Sequence, residues 1–243
     1  MILGLLRKSL DLELYDYFDR LRTAPVTKSA LVQRRQLVKP VFFRDLFLSI
    51  TDSFYHRFSH KTWKNYRVMA VDGSGHRLPQ DNNVGEEFGW HGNQHNQVPS
   101  TRTLYAYDVL NKIIYDVELH PRTTSEVKIN YAWIKDYPDD FLAVYDRGFA
   151  SFALPILHVR HGSNCLVRMK ISGSKIIEDF VQSADKQRIV RVSPHYRARK
   201  TAEEQGEIIS AEEYADVRLI KIILDDGTLE VLMTTLLQWS ESI

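Results

Sequence analysis

The rhythm of apolar positions changes once along the chain, near residue 65. Before it, apolar residues recur three and four apart in DLELYDYFDRLR and in TKSALVQRRQLVKPVFFRDLFLSITDSFYHRF, interrupted at Pro25 and Pro40, which predicts a helical region over residues 5–65. Beyond it the apolar runs shorten to strand length. RVMAVD (67–72) is one; TRTLYAYDVL (101–110) and KIIYDVELH (112–120), joined at Asn111, form a predicted hairpin whose second arm alternates Ile113, Tyr115, Val117 and Leu119. SEVKINYAWIKD (125–136) returns to helical spacing, FLAVYD (141–146) is a buried-strand run, and Ser151 to His161 reads as a helix or turn. NCLVRMK, RIVRV, VRLIKIIL and TLEVLMTTLL follow as strands, with the DDG of residues 225–227 as a hairpin turn.

Three early strands, a helix and a fourth strand is the order of an RNase H-like α/β core. The expected fold is α/β: an N-terminal helical region over residues 1–65, then an RNase H-like mixed sheet in residues 66–243, with a β-rich insertion over about 162–237 after the fourth core strand. No internal repeat or low-complexity tract interrupts it.

Two strand runs end on an acid. Asp72 closes RVMAVD and is followed by Gly73 and Ser74; Asp146 closes FLAVYD and is followed by Arg147 and Gly148, 74 residues further on. Asp-Gly and Asp-x-Gly are common turn formers, so a turn accounts for either acid alone. Their joint position, at the ends of the first and fourth strands, points elsewhere. Carboxylates at the ends of neighbouring strands offer oxygen ligands to Mg²⁺ or Mn²⁺, and an ion pair about 3.5 to 4 Å apart stabilises both oxygens of an in-line phosphoryl displacement. His91 and His95 in GWHGNQHNQ have the spacing of a zinc pair on a helix, but their Gly- and Asn-rich setting reads as a loop and no third ligand accompanies them.

Apolar residues make up 44% of the chain and charged ones 26%, as in ordinary globular proteins, which argues against disordered or disulfide-scaffold classes. The single Cys165 cannot form an internal disulfide and reads as a packed thiol. No run approaches a membrane span, and the apolar start is too short for a signal segment, so a cytoplasmic protein without membrane contact is expected. The net charge of +1 hides a pattern: residues 160–200 hold ten Lys or Arg against three acids, and residues 201–243 hold two against ten. These are either two solvated faces that satisfy each other or a local surface for phosphates. In SALVQRRQLV, Leu31, Val32, Leu37 and Val38 leave Arg34 and Arg35 facing outward. With Lys28 and Lys39, that helix suits a DNA-contacting element and an amphipathic surface helix equally. Arg147 suits either a DNA phosphate or a nearby acid.

VDGSGHRLP, LYAYDVLNKIIYDVEL, SEVKI and FLAVYDRGFASFALPILHVRHGSNCLVRMK, in this order and spacing, resemble the DDE transposases of the insertion-sequence-four group. SALVQRRQLVKPVFFRDLF resembles the N-terminal helical region of that family, so the resemblance extends over most of residues 25–237. It implies that Asp72 and Asp146 are catalytic metal ligands for Mg²⁺ or Mn²⁺. It also implies that the partner is double-stranded DNA, as transposon ends and target, and that the protein acts as a homo-oligomer on DNA.

The third acid departs from the pattern. The family carries a Glu in a Tyr-x-x-Arg-x-x-x-Glu helix, usually with a Lys seven residues on. Tyr196, Arg199 and Glu203 have this spacing, but position 210 is Ser and two strand runs still follow, whereas the family's Glu comes after the strand that TLEVLMTTLL resembles. The expectation is therefore that Glu203 is not the ligand and that the third acid lies beyond residue 243, which makes the chain an incomplete copy. Two other readings stay open: a non-catalytic DNA-binding fragment that inhibits transposition, and another RNase H-like nuclease.

Overall fold

A computed structural model describes residues 8–93 and 96–238. The first seven residues, Gln94, His95 and residues 239–243 lie outside the described residues. The chain divides into two units, Met1–Phe58 and Ser59–Ile243. The first holds three helices, α1 (Leu10–Arg20), α2 (Lys28–Gln36) and α3 (Pro40–Arg57). Their boundaries follow local chemistry. The Thr27 side chain accepts a hydrogen bond from the Ala30 N–H at 3.2 Å and caps α2. Pro40 opens α3, where its missing N–H costs nothing.

The second unit begins with β1 (Arg67–Arg77), α4 (Asn82–Phe88), β2 (Trp90–Asn93), β3 (Asn96–Asp108), β4 (Ile113–Pro121) and α5 (Glu126–Trp133). It continues with β5 (Phe141–Tyr145), α6 (Ala153–Arg160), β6 (Asn164–Met169), α7 (Lys175–Gln182), β7 (Gln187–Val192), α8 (Tyr196–Glu203), β8 (Ala215–Ile223) and β9 (Leu229–Thr234). All nine strands join one sheet in the order β2-β3-β1-β5-β6-β9-β8-β7, with β4 on β3. Along β4-β3-β1-β5-β6 the pairings run antiparallel, antiparallel, parallel, parallel. This is an RNase H-like mixed sheet, and the later strands extend it rather than forming a separate body. Among the described residues no helix is long and apolar enough to cross a membrane.

The GWHGNQHNQ stretch, read as a loop from its composition, instead contributes β2, whose Trp90 and His91 pair with Pro99 and Val98 of β3. Gly92 makes the close approach possible: its φ is 145°, and a Cβ there would lie 2.0 Å from the Asn96 carbonyl oxygen. The stretch expected as a β-rich insertion holds two helices, α7 and α8, besides strands.

Strand alternation gives the sheet two unlike faces. On one, Met69, Val71, Ala143, Tyr145, Val167 and Met233 are buried. They lie with the buried Ile129 and Trp133 of α5 and Leu154 and Leu157 of α6. The opposite face presents Val68, Leu142, Val144, Leu166, Ile220 and Leu232, which line an open apolar groove of about 570 Å³. Among the described residues, none of those lining that groove belongs to a helix. A parallel sheet centre ordinarily has both faces covered.

Candidate active site

β1 and β5 are joined at their starts. The Arg67 guanidinium donates to the Asp140 carboxylate at 2.7 Å, and the Arg67 backbone N–H donates to the Asp140 carbonyl at 2.8 Å. From there the parallel ladder runs from Arg67↔Phe141 to Val71↔Tyr145. Asp72 and Asp146 each follow directly on the last pair of this ladder. Adjacent strands lie about 4.8 Å apart, so the two backbones are neighbours. Val71 and Tyr145 are buried against the helices, whereas Asp72 and Asp146 are exposed. By alternation both carboxylates belong to the face of the open groove; Asp146 directly follows β5, whereas Asp72, expected at a strand end, lies in the middle of β1, which continues to Arg77 because β3 pairs with it along its whole second half.

The segment before Asp146 is anchored from below. The buried Tyr145 hydroxyl donates to Asn130 Oδ1 at 3.2 Å and lies 2.9 Å from Nε2 of His158, whose Nδ1 is 2.7 Å from the Ser163 hydroxyl. Burial pushes the His158 imidazole down to about 3, so it is neutral and serves as a fixed hydrogen-bonding bridge. Beside Asp72, Gly73 leaves room for the side chain of Glu126. A Cβ on Gly73 would lie 2.3 Å from Cδ of Glu126, which pairs with Arg102 on the helix-covered face.

Two residues that sequence reasoning missed complete the surroundings of Asp146. Arg168 of β6 approaches its Oδ1 at 3.7 Å with one guanidinium nitrogen, and its other terminal nitrogen pairs with Glu230 of β9. A signal existed: Arg168 and Glu230 interrupt apolar strand runs at positions facing the same side as Leu166 and Leu232. The Arg147 of the sequence reading is exposed, and with Arg168 and Lys170 it lines a cleft of about 330 Å³ next to Asp146.

Among the described residues no group of three or more His, Cys, Asp or Glu side chains is placed to hold a metal. Asp72 and Asp146 supply the hard oxygen donors that Mg²⁺ or Mn²⁺ takes, and Asp146 already draws a cationic group, so the pair suits a divalent ion as part of a ligand set. Glu203 stands elsewhere. It ends α8, a helix that contacts α5 and α6 and whose next residue, Glu204, pairs with Lys128 of α5 at 2.6 Å. That places α8 with the helix layer, across the sheet from the two Asp carboxylates. His91 is an exposed residue of β2. Cys165 is buried, with its thiol pushed up to about 12 by desolvation, as a packed side chain requires. In the first unit Lys28, Arg34, Arg35 and Lys39 are exposed on or beside α2, and Lys28 lies 3.9 Å from Asp11.

No curated protein matches the chain. A cryo-EM structure of the piggyBac transposase synaptic complex with hairpin DNA is similar over 98% of this chain and 50% of that chain, at 12% identity and a TM-score of 0.46. The chain thus spans half the length of that transposase. The family described as Transposase DDE domain matches residues 63–239, which takes in the whole sheet and both Asp72 and Asp146. With most of its length inside that match, the chain belongs to the transposase DDE domain family.

Proposed function

We propose that the chain is part of a DNA transposase of insertion-sequence type, a polynucleotidyl transferase of the insertion-sequence-four group, in which Asp72 and Asp146 hold Mg²⁺ or Mn²⁺. The observation that supports this reading is the parallel register of β1 and β5, whose last pair, Val71 with Tyr145, directly precedes the two acids. A divalent ion bound there would supply Lewis-acid stabilisation of the charge that develops in an in-line displacement at a phosphodiester. The chain's own residues divide the remaining work. Arg67 with Asp140 and Tyr145 with His158 fix the strands that present the acids, while Arg147 and the cleft behind it meet a phosphate of the strand to be cut. Lys28, Arg34, Arg35 and Lys39 contact double-stranded DNA, with transposon ends and target held by a homo-oligomer.

The third acid, in this reading, is carried by a segment outside these 243 residues that packs on the open apolar groove beside the two Asp residues. The open apolar groove supports this, as does the place of Glu203 in the other layer. The same face favours a second reading for the chain as it stands, a DNA-binding fragment that does not cut.

The test is cleavage of DNA bearing the cognate element's ends with Mn²⁺. The 243-residue chain should bind without cutting at a useful rate. Addition of a segment with a Tyr-x-x-Arg-x-x-x-Glu helix should restore cutting, and Asp72→Ala or Asp146→Ala should abolish it again. Glu203→Gln should leave the restored enzyme active. Robust cutting by the unextended chain, lost on Glu203→Gln, would overturn the assignment of the third acid.

A further inference from the structure

Arg168 is shared unequally between two carboxylates. Glu230, with a side chain only 15% exposed, pairs closely with one guanidinium nitrogen, whereas Asp146, 60% exposed, is met at 3.7 Å by another. A carboxylate as enclosed as Glu230 needs a lasting partner, and an exposed one can exchange its partner for another cation. Arg168 is therefore anchored on Glu230 and loosely held on Asp146. Beyond it opens the cleft that it lines with Arg147 and Lys170, where, among the described residues, no acid other than Glu230 contributes to the wall.

We propose that Arg168 is an internal counter-cation for Asp146 that yields its place when a divalent metal ion binds. Glu230 keeps the guanidinium at the mouth of the cleft, and the nitrogen released from Asp146 then faces a DNA phosphate there. The arrangement makes metal loading and DNA binding mutually reinforcing. In the metal-free protein Arg168 offsets the charge of Asp146; in the loaded protein the same guanidinium is available to the phosphodiester. By linkage, whatever factor the metal adds to DNA affinity, DNA adds to metal affinity. The inference rests on the reading of Asp72 and Asp146 as metal ligands and adds a positioning residue that regulates the site.

The experiment measures Mn²⁺ affinity of the 243-residue chain by electron paramagnetic resonance, without DNA. Arg168→Gln alone removes a positive charge and leaves Glu230 without its partner. The decisive variant is therefore Arg168→Gln combined with Glu230→Gln, which keeps net charge and replaces the ion pair by two amides. Both variants should bind Mn²⁺ about two- to fivefold more tightly, the range set by an exposed ion pair. Lys170→Gln, which removes a charge from the cleft without touching the carboxylate pair, should change it less. In a second arm, fluorescence anisotropy of a labelled DNA duplex should show that Mn²⁺ strengthens binding to the wild type more than to the double variant. Unchanged Mn²⁺ affinity in the double variant, or an equal Mn²⁺ effect on its DNA binding, overturns the role of Arg168 while leaving the metal site standing. Wild-type protein whose Mn²⁺ binding is absent or is unaffected by Asp72→Ala overturns the metal site and, with it, this inference.

Discussion

Arg67 and Asp140 close the two strands of the site at the end opposite its acids. The side-chain pair and the backbone hydrogen bond together lock the register whose last pair, Val71 with Tyr145, directly precedes Asp72 and Asp146. The Arg67 side chain is 12% exposed and its guanidinium also lies 4.8 Å from the centre of the Phe141 ring, so loss of this residue removes packing as well as charge. Arg67→Ala should cost about 1 to 3 kcal/mol of stability in urea unfolding, because hydrogen bonds to charged groups are worth that much and Asp140 is left partly enclosed. Asp140→Asn, which keeps an acceptor, should cost less. Equal stability of Arg67→Ala and wild type would remove the pair from the account of how the site is held.

Gly73 should tolerate no side chain while Glu126 keeps its present place. Gly73→Ala brings a methyl group into the space of the Glu126 carboxylate and forces it off Arg102, at a cost of about 1 to 3 kcal/mol typical of overpacking. Because the clash is with one side chain, Gly73→Ala in a Glu126→Ala background should cost clearly less, and a double-mutant cycle in chemical denaturation reads the difference. Additive costs would place the strain in the backbone instead.

The buried His158 gives the fold a pH dependence whose sign is fixed. Its folded pKa, lowered to about 3 by desolvation and then by the nearby His161, lies below the ordinary value of 6.5, so the unfolded chain binds the proton more readily. The corresponding stability is fully present above pH 6.5 and is lost as pH falls toward 3. At pH 5 the loss from this one group should be about 2 kcal/mol relative to pH 7. Urea unfolding of the wild type and of His158→Gln across this range should show a shallower slope in the variant, and parallel slopes would mean that His158 titrates normally.

Exposed cations on and beside α2 carry the prediction about DNA affinity. Neutralising Arg34 and Arg35 together should weaken binding to duplex DNA and reduce the steepness of its logarithmic salt dependence by about 1.8, since each phosphate contact contributes about 0.9. Titrations at several salt concentrations measure this. An unaltered slope would assign α2 to packing or to an ordinary solvated surface.

What the sequence by itself determined is what local pattern encodes. The short apolar run that stops at Asp146 announced the end of β5, the alternation from Ile113 to Leu119 announced the second arm of a hairpin, and the equal spacing of the two acids from the starts of their runs matches the register of β1 on β5; the run that stops at Asp72 did not mark an end, since β1 continues along β3 to Arg77. Composition misled at GWHGNQHNQ, because a short edge strand held by the pairing of Trp90 and His91 needs little strand propensity of its own. Tertiary structure alone decided which face of the sheet carries the acids, that β9 inserts between β6 and β8, and that Arg168 meets Glu230 from 62 positions away. It also put the Tyr196, Arg199 and Glu203 pattern on a helix of the opposite layer. These features depend on pairings between segments distant along the chain. Periodicity reports whether a strand is buried on one side or both, and it does not report which neighbour does the burying.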